Sequence, residues 1–469
     1  MTREAAGIER LSARQREILE LVAKGLTNEE IAGVVKIAPA TVRTHISQVL
    51  ARLELSNRTE AAAAYVAWAA RPEKIAVVLD RPAIAVLPSE AFDDEPMTRA
   101  AAWGLTHDLA ALFARWCWFP VIAPAATVAA PAPGETMQSV GQRLGASFLV
   151  AAALRTATAP WRLTVRIVEA ASGRWIWTDR FEFTPAELFA VQDTVCAAIV
   201  SNAYPVLVAH TEVALRGRLG AADLTAWEMA HHGMRLQTSR EAETNAAAQS
   251  RFRAAIEREP GLVLAHFGLG LCGFDDVLNQ RRPREEAMEL LYACAQRCVG
   301  LAPHAAEGYY LLGRHAQSKG QHEVAALMLE TAIARNPSFA AGHAVLAQVL
   351  QLAGRADEAL TRMRDATRLD GRSFVAGLAT LLFARGDYLE ALAAAEQAVA
   401  TAPRYAYARV IATACAWWAG EHARAAGHIE TLRGLAPTFT IGRFLQTFGA
   451  SNDAVVRLSE ALKAHGVPR

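Results

Sequence analysis

Four basic side chains cluster near the start of a chain that is otherwise almost neutral. The stretch from residue 36 to residue 58 contains Lys36, Arg43, Arg52 and Arg58 against Glu54, four positive charges and one negative. Ammonium and guanidinium groups in such a cluster can bind the phosphates of a nucleic acid. The 469-residue chain has 48 basic and 47 acidic residues. This balance excludes a protein that coats nucleic acid through bulk charge, but not a small module that reads a groove.

The elements that must position these side chains are short helices with clear start signals. Capping boxes begin at Ser12 and Thr27, each before an apolar run, and Pro39 suits the first turn of a third helix. A fourth helix is predicted over residues 57–70. Two short helices joined by a tight turn, the second with polar residues outward, have helix-turn-helix geometry. The alternative is a generic bundle of three or four helices with a solvated face.

The same residues resemble the LuxR-type (GerE-type) DNA-binding domain along its whole length: LSARQREILELVAKGLTNEEIAGVVKIAPATVRTHISQVLARLELSNRTEAAAAYV. In that family the third helix enters the major groove. The resemblance implies base contacts from Arg43, Thr44 and Ser47. It implies phosphate contacts from Thr27, Asn28, Thr41, Gln48 and Arg58.

Family members usually carry lysine where Arg43 stands, and arginine adds a bidentate fork suited to guanine. The fourth helix pairs two copies in the resembled family. The implied partner is therefore double-stranded DNA, bound by a homodimer. Pairing would double the contacts of a domain whose small charge predicts weak binding as a monomer.

Strand-like and helix-like runs alternate over residues 83–215 in the order βαβαβββα, which predicts an α+β sandwich after a proline-containing linker at 71–82. The segments IAVLP, VGQRLGASFLVAAALR and RIVEAASGRWIWTDRFEF resemble the TolB-amino-terminal-like domain, a module of bacterial regulators. Trp175 and Trp177 are expected to share one strand face. They are interpreted as packing residues or, alternatively, as part of a ligand pocket or docking face.

Residues 220–469 are helical throughout and repetitive. Pro303 and Pro337 are 34 residues apart, as are Pro403 and Pro437. Alignment on these prolines superposes small residues at Ala248, Ala325, Ala359, Ala391 and Ala425, and turn glycines at Gly320, Gly354, Gly386 and Gly420. These positions resemble the tetratricopeptide (TPR) pattern, in which small residues let two helices approach and proline stops the second helix. The predicted fold class is multidomain: an all-α helix-turn-helix domain at 1–70, the α+β domain, then an α-solenoid of TPR repeats.

In TPR proteins the first helix of each repeat lines a concave groove, so a protein or peptide partner is expected there. The carboxyl-terminal end of this groove is apolar and aromatic. Its hypothetical anchors are Phe383, Tyr407, Trp417 and Trp418. The alternative is that these side chains pack against a last helix predicted over residues 453–464, and a fully buried Trp418 indole would exclude the anchor hypothesis.

No motif predicts catalysis. Gly268, Gly270 and Gly273 match GxGxxG, but they fall inside a predicted repeat helix instead of a strand–turn–helix unit. Cys294 and Cys298 could share a soft metal, although no third ligand is near in sequence, and buried thiols are the favoured interpretation. We therefore expect no enzyme activity, no catalytic residues, no metal site and no cofactor. The three assigned segments leave no room for a cyclase catalytic domain.

The six cysteines are scattered without a CxxC pair, which fits a reducing compartment. The longest apolar stretches fall short of the ~20 residues that a membrane span needs, and the start of the chain lacks an apolar run. We expect a cytoplasmic protein without membrane contact. The sequence thus predicts a bacterial DNA-binding transcriptional regulator with α+β and TPR sensor or interaction modules. The alternative is a TPR interaction scaffold whose helix-turn-helix mediates dimerisation or protein docking.

Overall fold

The computed structural model divides into two compact units, Met1–Val78 and Leu79–Arg469. The residues that it describes are 11–23, 26–53, 55, 57–58, 60–62, 65, 81–93, 95–128, 131–132, 134–156, 160–184, 188–218, 223–238, 242–279, 281–436, 439–442 and 453–468. Most of the predicted linker and the end of the predicted fourth helix, residues 66–80, lie outside them.

The first unit contains the three predicted helices: α1 (Ala13–Ala23), α2 (Asn28–Val35) and α3 (Pro39–Leu53). At the start of α2, Thr27 Oγ1 accepts a hydrogen bond from the Glu30 amide at 3.3 Å, and the Glu30 carboxylate accepts one from the Thr27 amide at 2.7 Å. Ser12 and Gln15 make the same reciprocal pair before α1. Both predicted capping boxes are confirmed.

A tight turn joins α2 to α3, and Lys36 adopts the left-handed conformation in it, with φ 56° and ψ 48°. Two apolar clusters then hold α3 from beneath. One joins all three helices through Ile18, Val22, Ile31, Val35 and Val42. The other joins α1 to α3 through Leu19, Val49 and Leu53. The helix-turn-helix geometry predicted from the caps is therefore present.

The second unit begins with a mixed sheet and its helices. Its elements are β1 (Ile84–Val86), β2 (Glu90–Ala91), α4 (Pro96–Ala114), β3 (Val121–Ile122), α5 (Pro124–Thr127), α6 (Met137–Leu144), β4 (Phe148–Arg155), β5 (Trp161–Glu169), β6 (Trp175–Phe183) and α7 (Leu188–Leu215). The strand order is β3-β1-β4-β5-β6, and β2 pairs with β4. β1 is parallel to β3 and β4, whereas β4, β5 and β6 are antiparallel. The predicted order of elements is confirmed, with β2 and α5 as short additions.

Helices cover the two faces of this sheet unequally. One face packs on α4 and α7 and belongs to the main hydrophobic core. On the other face, among the described residues, α6 covers the end near Leu149, Val168 and Ala170. The expectation that Trp175 and Trp177 share a face is wrong, because Trp175 pairs with Val168 and Trp177 with Ile167. The irregularity at this point is a β-bulge, which sends the two indoles to opposite faces.

The rest of the second unit, in the residues that the structure describes, is a series of helix pairs followed by one last helix. The helices are α8 (Ala226–Gln237), α9 (Ala242–Arg258), α10 (Val263–Asn279), α11 (Arg284–Leu301), α12 (Glu307–Ser318), α13 (His322–Arg335), α14 (Ala340–Leu352), α15 (Ala356–Leu369), α16 (Val375–Arg385), α17 (Tyr388–Thr401), α18 (Ala406–Trp418), α19 (His422–Leu435) and α20 (Asp453–Ala464). α20 coincides with the last helix predicted from the sequence.

The repeat positions have the packing that their residue types predict. The five aligned alanines, at 248, 325, 359, 391 and 425, are completely buried, which allows the paired helices to approach closely. The four aligned glycines, at 320, 354, 386 and 420, all have positive φ between 72° and 99° and end the first helix of a pair.

The sheet and the helix pairs share one continuous hydrophobic core, which runs from Ile84 to Val467. The Trp227 indole on α8 donates a hydrogen bond to the carbonyl of Trp118, in the segment between α4 and β3, at 2.6 Å. The predicted boundary between the α+β and TPR domains, near residue 215, stays a prediction.

One segment of α7, Asp193–Leu215, is long and apolar enough to cross a membrane by length and composition alone. More than half of its apolar stretch is buried inside the protein. Buried helices in the core of a globular protein have the same composition.

Candidate nucleic-acid interface

The outward face of α3 presents the side chains that were expected to contact DNA. Arg43, Thr44 and Ser47 are exposed, and so are Thr41 and Gln48. On its opposite face the helix buries three apolar side chains, Val42, Val49 and Leu53. Because the apolar face is held by the core, the polar face is presented on a supported helix and not on a loop.

The guanidinium group of Arg43 is available for new hydrogen bonds. Within the described residues its guanidinium group has no hydrogen-bond or ion-pair partner. The neighbouring Thr44 hydroxyl donates to the Ala40 carbonyl at 3.1 Å, which leaves its lone pairs and methyl group at the surface. A free planar guanidinium can bind guanine O6 and N7 together, and a threonine can accept from a base or contact a thymine methyl group.

Two of the expected phosphate-binding residues are bonded to each other. Arg58 Nη1 donates to Asn28 Oδ1 at 2.8 Å, and Arg58 Nη2 donates to the Leu26 carbonyl. These bonds tie the residues after α3 to the start of α2. The two N–H donors of the Asn28 side chain are not used in this contact. The hydrogen bond from Arg58 therefore orients Asn28, and the Arg58 guanidinium group supplies positive charge beside it.

Thr27 is engaged in a structural role as well. Its hydroxyl group caps α2 and also donates to the Glu30 carboxylate at 2.9 Å. The hydrogen bond from the Thr27 backbone amide holds the pKa of Glu30 below its usual value. A helix start with free amides and a positive dipole end is also a favourable place for a phosphate.

Gln15 links α1 to α3, a role that its capping position in the sequence does not predict. Its Oε1 accepts from Arg52 Nη1 at 3.0 Å, and its Nε2 donates to Gln48 Oε1 at 3.3 Å. The amide thus links α1 to two side chains of α3. A glutamine, with both a donor and an acceptor, can make this double link, whereas a glutamate cannot donate.

The predicted fourth helix is described only in part. Asn57 Oδ1 accepts from the Glu60 amide at 2.9 Å, so the predicted cap is confirmed. Ala61 is buried against α1 and α3. The remainder of this helix, which would pair two copies, lies outside the described residues.

Two of the four residues expected at the end of the TPR groove, Phe383 and Trp418, contact α20. Phe383 is 1% exposed and lies beneath the Arg457 guanidinium. The Trp418 indole is partly buried and donates to the Arg457 carbonyl at 2.9 Å. The Tyr407 and Thr380 hydroxyls are 2.6 Å apart, and burial raises the pKa of Tyr407 well above its usual value. These contacts favour packing against the last helix, the alternative to a partner anchor.

The other sequence motifs serve packing. Gly268 and Gly270 lie inside α10, where an added Cβ would meet the Phe252 ring and the Leu311 side chain. Cys294 and Cys298 are buried, and burial raises the pKa of the Cys294 thiol to about 12. In the part of the chain that the structure describes, no group of three or more His, Cys, Asp or Glu side chains is arranged to hold a metal ion.

Comparison with known families identifies both helical modules. Residues 9–65 match the family of bacterial regulatory proteins of the luxR family, and residues 310–373 and 377–438 match the tetratricopeptide repeat. The chain therefore carries a LuxR-type helix-turn-helix domain at its amino-terminal end and TPR repeats towards its carboxyl-terminal end.

Curated relatives match separate parts of the chain. A putative adenylate cyclase 3 of Rhizobium meliloti is 25% identical over 233 residues, 50% of this chain and 40% of the relative. The response regulator protein VraR of Staphylococcus aureus is 46% identical over 61 residues, 13% of this chain and 29% of the relative. The chain thus spans less than half the length of either relative.

Solved TPR structures are also similar. The TPR protein TTC0263 of Thermus thermophilus is 22% identical, with a TM-score of 0.34, and the similarity covers 40% of this chain and 99% of that one. YrrB, a TPR protein with an unusual peptide-binding site, is 19% identical with a TM-score of 0.29, over 45% of this chain and 98% of that one.

Proposed function

We propose that this chain, which joins a LuxR-type helix-turn-helix domain to TPR repeats, is a bacterial DNA-binding transcriptional regulator of the cytoplasm. In this proposal α3 enters the major groove, and the mixed sheet and TPR repeats sense a ligand or protein. The mechanism is binding with a shift of population between states, without covalent chemistry.

One observation carries this proposal: the exposed face of α3, with Arg43, Thr44 and Ser47 outward and the opposite face held in the core. Base reading requires side chains that are placed with sub-ångström accuracy on a rigid element. The Gln15 link to α3 and the apolar cluster beneath it supply that rigidity. We assign the base contacts to these three residues.

The phosphate contacts are assigned to residues around the edge of the same face: Thr27, Asn28, Thr41, Gln48 and Arg58. Such contacts fix the register of the helix on the duplex but carry no sequence information. Because this module has few positive charges, two copies are needed for tight binding, and we propose a homodimer on DNA.

The experiment is a gel-shift series across salt concentrations with the full chain and a duplex selected by that chain from a random library. Arg43→Ala is expected to reduce discrimination between the selected duplex and a scrambled one by roughly 10- to 100-fold, the value of a lost bidentate contact. Arg43→Lys is the matched control, since it keeps the charge and loses only the fork. Equal discrimination by the Ala variant and the unchanged chain would refute the assignment.

The alternative function is a TPR interaction scaffold whose helix-turn-helix mediates dimerisation or protein docking. Absence of DNA binding at low salt by a dimeric protein would favour it. A protein or peptide partner at the TPR repeats is part of both proposals. The assignment of Phe383, Tyr407, Trp417 and Trp418 as anchors for that partner stays a prediction.

We infer no enzymatic role. The helix-turn-helix and TPR modules bind macromolecules, and this chain spans only 40% of the relative named as an adenylate cyclase. The activity in that relative's name is therefore not carried over to this chain.

A further inference from the structure

Four arginines project from the part of the sheet that none of the described helices covers. The antiparallel register places Arg155 opposite Arg162, Thr164 opposite Arg180, and Arg166 opposite Thr178. Directly paired residues share a face. Arg155, Arg162 and Arg180 are exposed and Arg166 is half-buried. We call this surface the arginine face: Arg155, Arg162, Arg166 and Arg180.

Its charge is only partly neutralised. Glu182 pairs with Arg162 at 3.1 Å, with both side chains about half exposed, and exposed pairs of this kind contribute little stability. Glu90 on β2 lies at the far margin, opposite Ala153. Arg155 and Arg180 have no ion-pair partner among the described residues. This surface therefore carries four positive charges and two negative ones.

The direct pairing of Arg155 with Arg162 is unfavourable for folding alone. Like charges opposite each other on neighbouring strands destabilise a sheet. An anion bound between the two guanidinium groups removes the repulsion and adds charge-assisted hydrogen bonds. Local arrangements that cost stability are expected where a surface has a function.

Two exposed aromatic rings hold the guanidinium groups in place. The Arg166 guanidinium lies 4.3 Å from the centre of the Trp175 ring, and the Arg155 guanidinium lies 4.4 Å from that of Phe92. Trp175 is 61% exposed, and the β-bulge in β6 turns it to this face. Stacking restricts each guanidinium plane and leaves its N–H edge free to donate to an oxyanion.

We propose that the arginine face binds DNA phosphates without sequence preference, on the same duplex that the helix-turn-helix reads. This inference rests on the proposed function. Neighbouring positions on one strand face are about 7 Å apart, a spacing at which guanidinium groups can bind separate phosphates. A double-stranded DNA backbone is the polyanion that the proposed function already brings to this chain.

The two proposed contacts belong to one chain. Fifteen residues, 66–80, separate Tyr65 from Arg81, and covalent geometry lets such a stretch reach at most about 50 Å. Binding by the arginine face after the helix-turn-helix has docked is then intramolecular, which raises its effective concentration. A weak, non-specific site can thereby strengthen a module of low charge.

The test compares two double variants of the full chain that lose equal charge. Arg155→Gln with Arg180→Gln changes the arginine face, whereas Arg372→Gln with Arg404→Gln changes exposed arginines of the repeats that have no ion pair among the described residues. The probes are a random 40-bp duplex and the library-selected duplex. We expect only the first pair to lower the slope of log affinity against log salt, by about 2, one for each lost phosphate contact.

Affinity for both probes should fall by the same factor, and Arg155→Lys with Arg180→Lys should keep the slope. Thermal unfolding checks that each variant is folded. Slopes equal to that of the control pair would overturn the proposal. If the slopes are equal and the Arg155→Gln/Arg180→Gln variant also loses promoter regulation in cells, the arginine face binds an acidic protein partner instead of DNA.

Arg43→Ala in the same series separates the two proposals. If Arg43→Ala loses discrimination between the two duplexes and the Arg155→Gln/Arg180→Gln variant keeps the salt slope, only the arginine-face proposal is refuted. If the unchanged chain binds both duplexes equally but the Arg155→Gln/Arg180→Gln variant still has a lower salt slope, the proposed sequence reading is refuted. The arginine-face proposal is then supported.

Discussion

The indole nitrogen of Trp116 donates a hydrogen bond to the hydroxyl group of Ser338 at 2.8 Å. Trp116 follows α4 of the sheet part, and Ser338 lies in the turn between α13 and α14 of the repeats. The Ser338 hydroxyl in turn donates to Asn336 Oδ1 at 2.7 Å. The Trp116 ring stacks on Tyr204 at 4.3 Å and meets the edge of Phe339 at 5.3 Å. The mixed sheet is thus docked on a turn between consecutive repeats.

Removal of this hydrogen bond should weaken the docking. Ser338→Ala leaves the Trp116 donor without its acceptor, which is expected to cost about 1–2 kcal/mol of unfolding free energy. Trp116→Phe removes the donor, and a double-mutant cycle in urea denaturation gives the coupling between the two residues. Ser373→Ala, at an exposed position in the next such turn, is the control. A coupling energy of zero would show that the contact does not join the two parts.

Glu307, the first residue of α12, gives the second unit a pH-dependent stability. The residue is 3% exposed and its carboxylate lies beside the Cys117 backbone and the Trp118 indole, and burial raises its pKa to about 7. A carboxyl group whose pKa is raised by folding favours the folded state below its unfolded pKa of 4.5 and loses that contribution as pH rises to 7. The loss is on the order of 3 kcal/mol.

Glu307→Gln should therefore leave the unfolding free energy nearly unchanged at pH 4.5 and raise it at pH 8. Urea denaturation at both pH values measures the difference. Glu289→Gln, at an exposed position in α11, is the matched control. An equal effect of Glu307→Gln at both pH values would contradict the assignment.

Lys36 adopts a backbone conformation that glycine tolerates better. Its φ of 56° places it in the left-handed region, which costs a side-chain-bearing residue roughly 1–2 kcal/mol. Lys36→Gly should raise the stability of the first unit by about 1 kcal/mol, and Lys36→Ala should not, since alanine keeps the strain. Both variants lose one charge and should weaken DNA binding equally. Thermal unfolding and gel shift measure the two effects, and equal stability of the two variants would refute the strain argument.

Trp418 discriminates between the two interpretations of the aromatic groove residues. Trp418→Phe removes the indole donor to the Arg457 carbonyl and should cost about 1 kcal/mol of stability. Trp417→Phe is the control, because the Trp417 ring makes its contacts with His422 and His465 through its faces and edges. Urea denaturation is the measurement. Loss of peptide binding by Trp418→Phe without loss of stability would instead support the partner anchor.

The helices of the first unit could be predicted because their signals are local. Ser12, Thr27 and Asn57 cap helices through residues only three positions away, and these bonds form as expected. The link from Gln15 to Gln48 could not be predicted, since it joins residues 33 positions apart and depends on how α1 packs on α3.

The repeat positions and their resemblance to the TPR pattern predicted the helix pairs, the small residues between them and the turn glycines, because each repeat imposes the same packing on the same positions. Strand order along the chain was also readable from local patterns. The tertiary structure decided the rest. A single bulge placed Trp175 among arginines and not beside Trp177, and long-range packing brought Trp116 to Ser338 and buried Glu307. Such contacts depend on how many helices and strands pack together, and no short stretch of sequence specifies that packing.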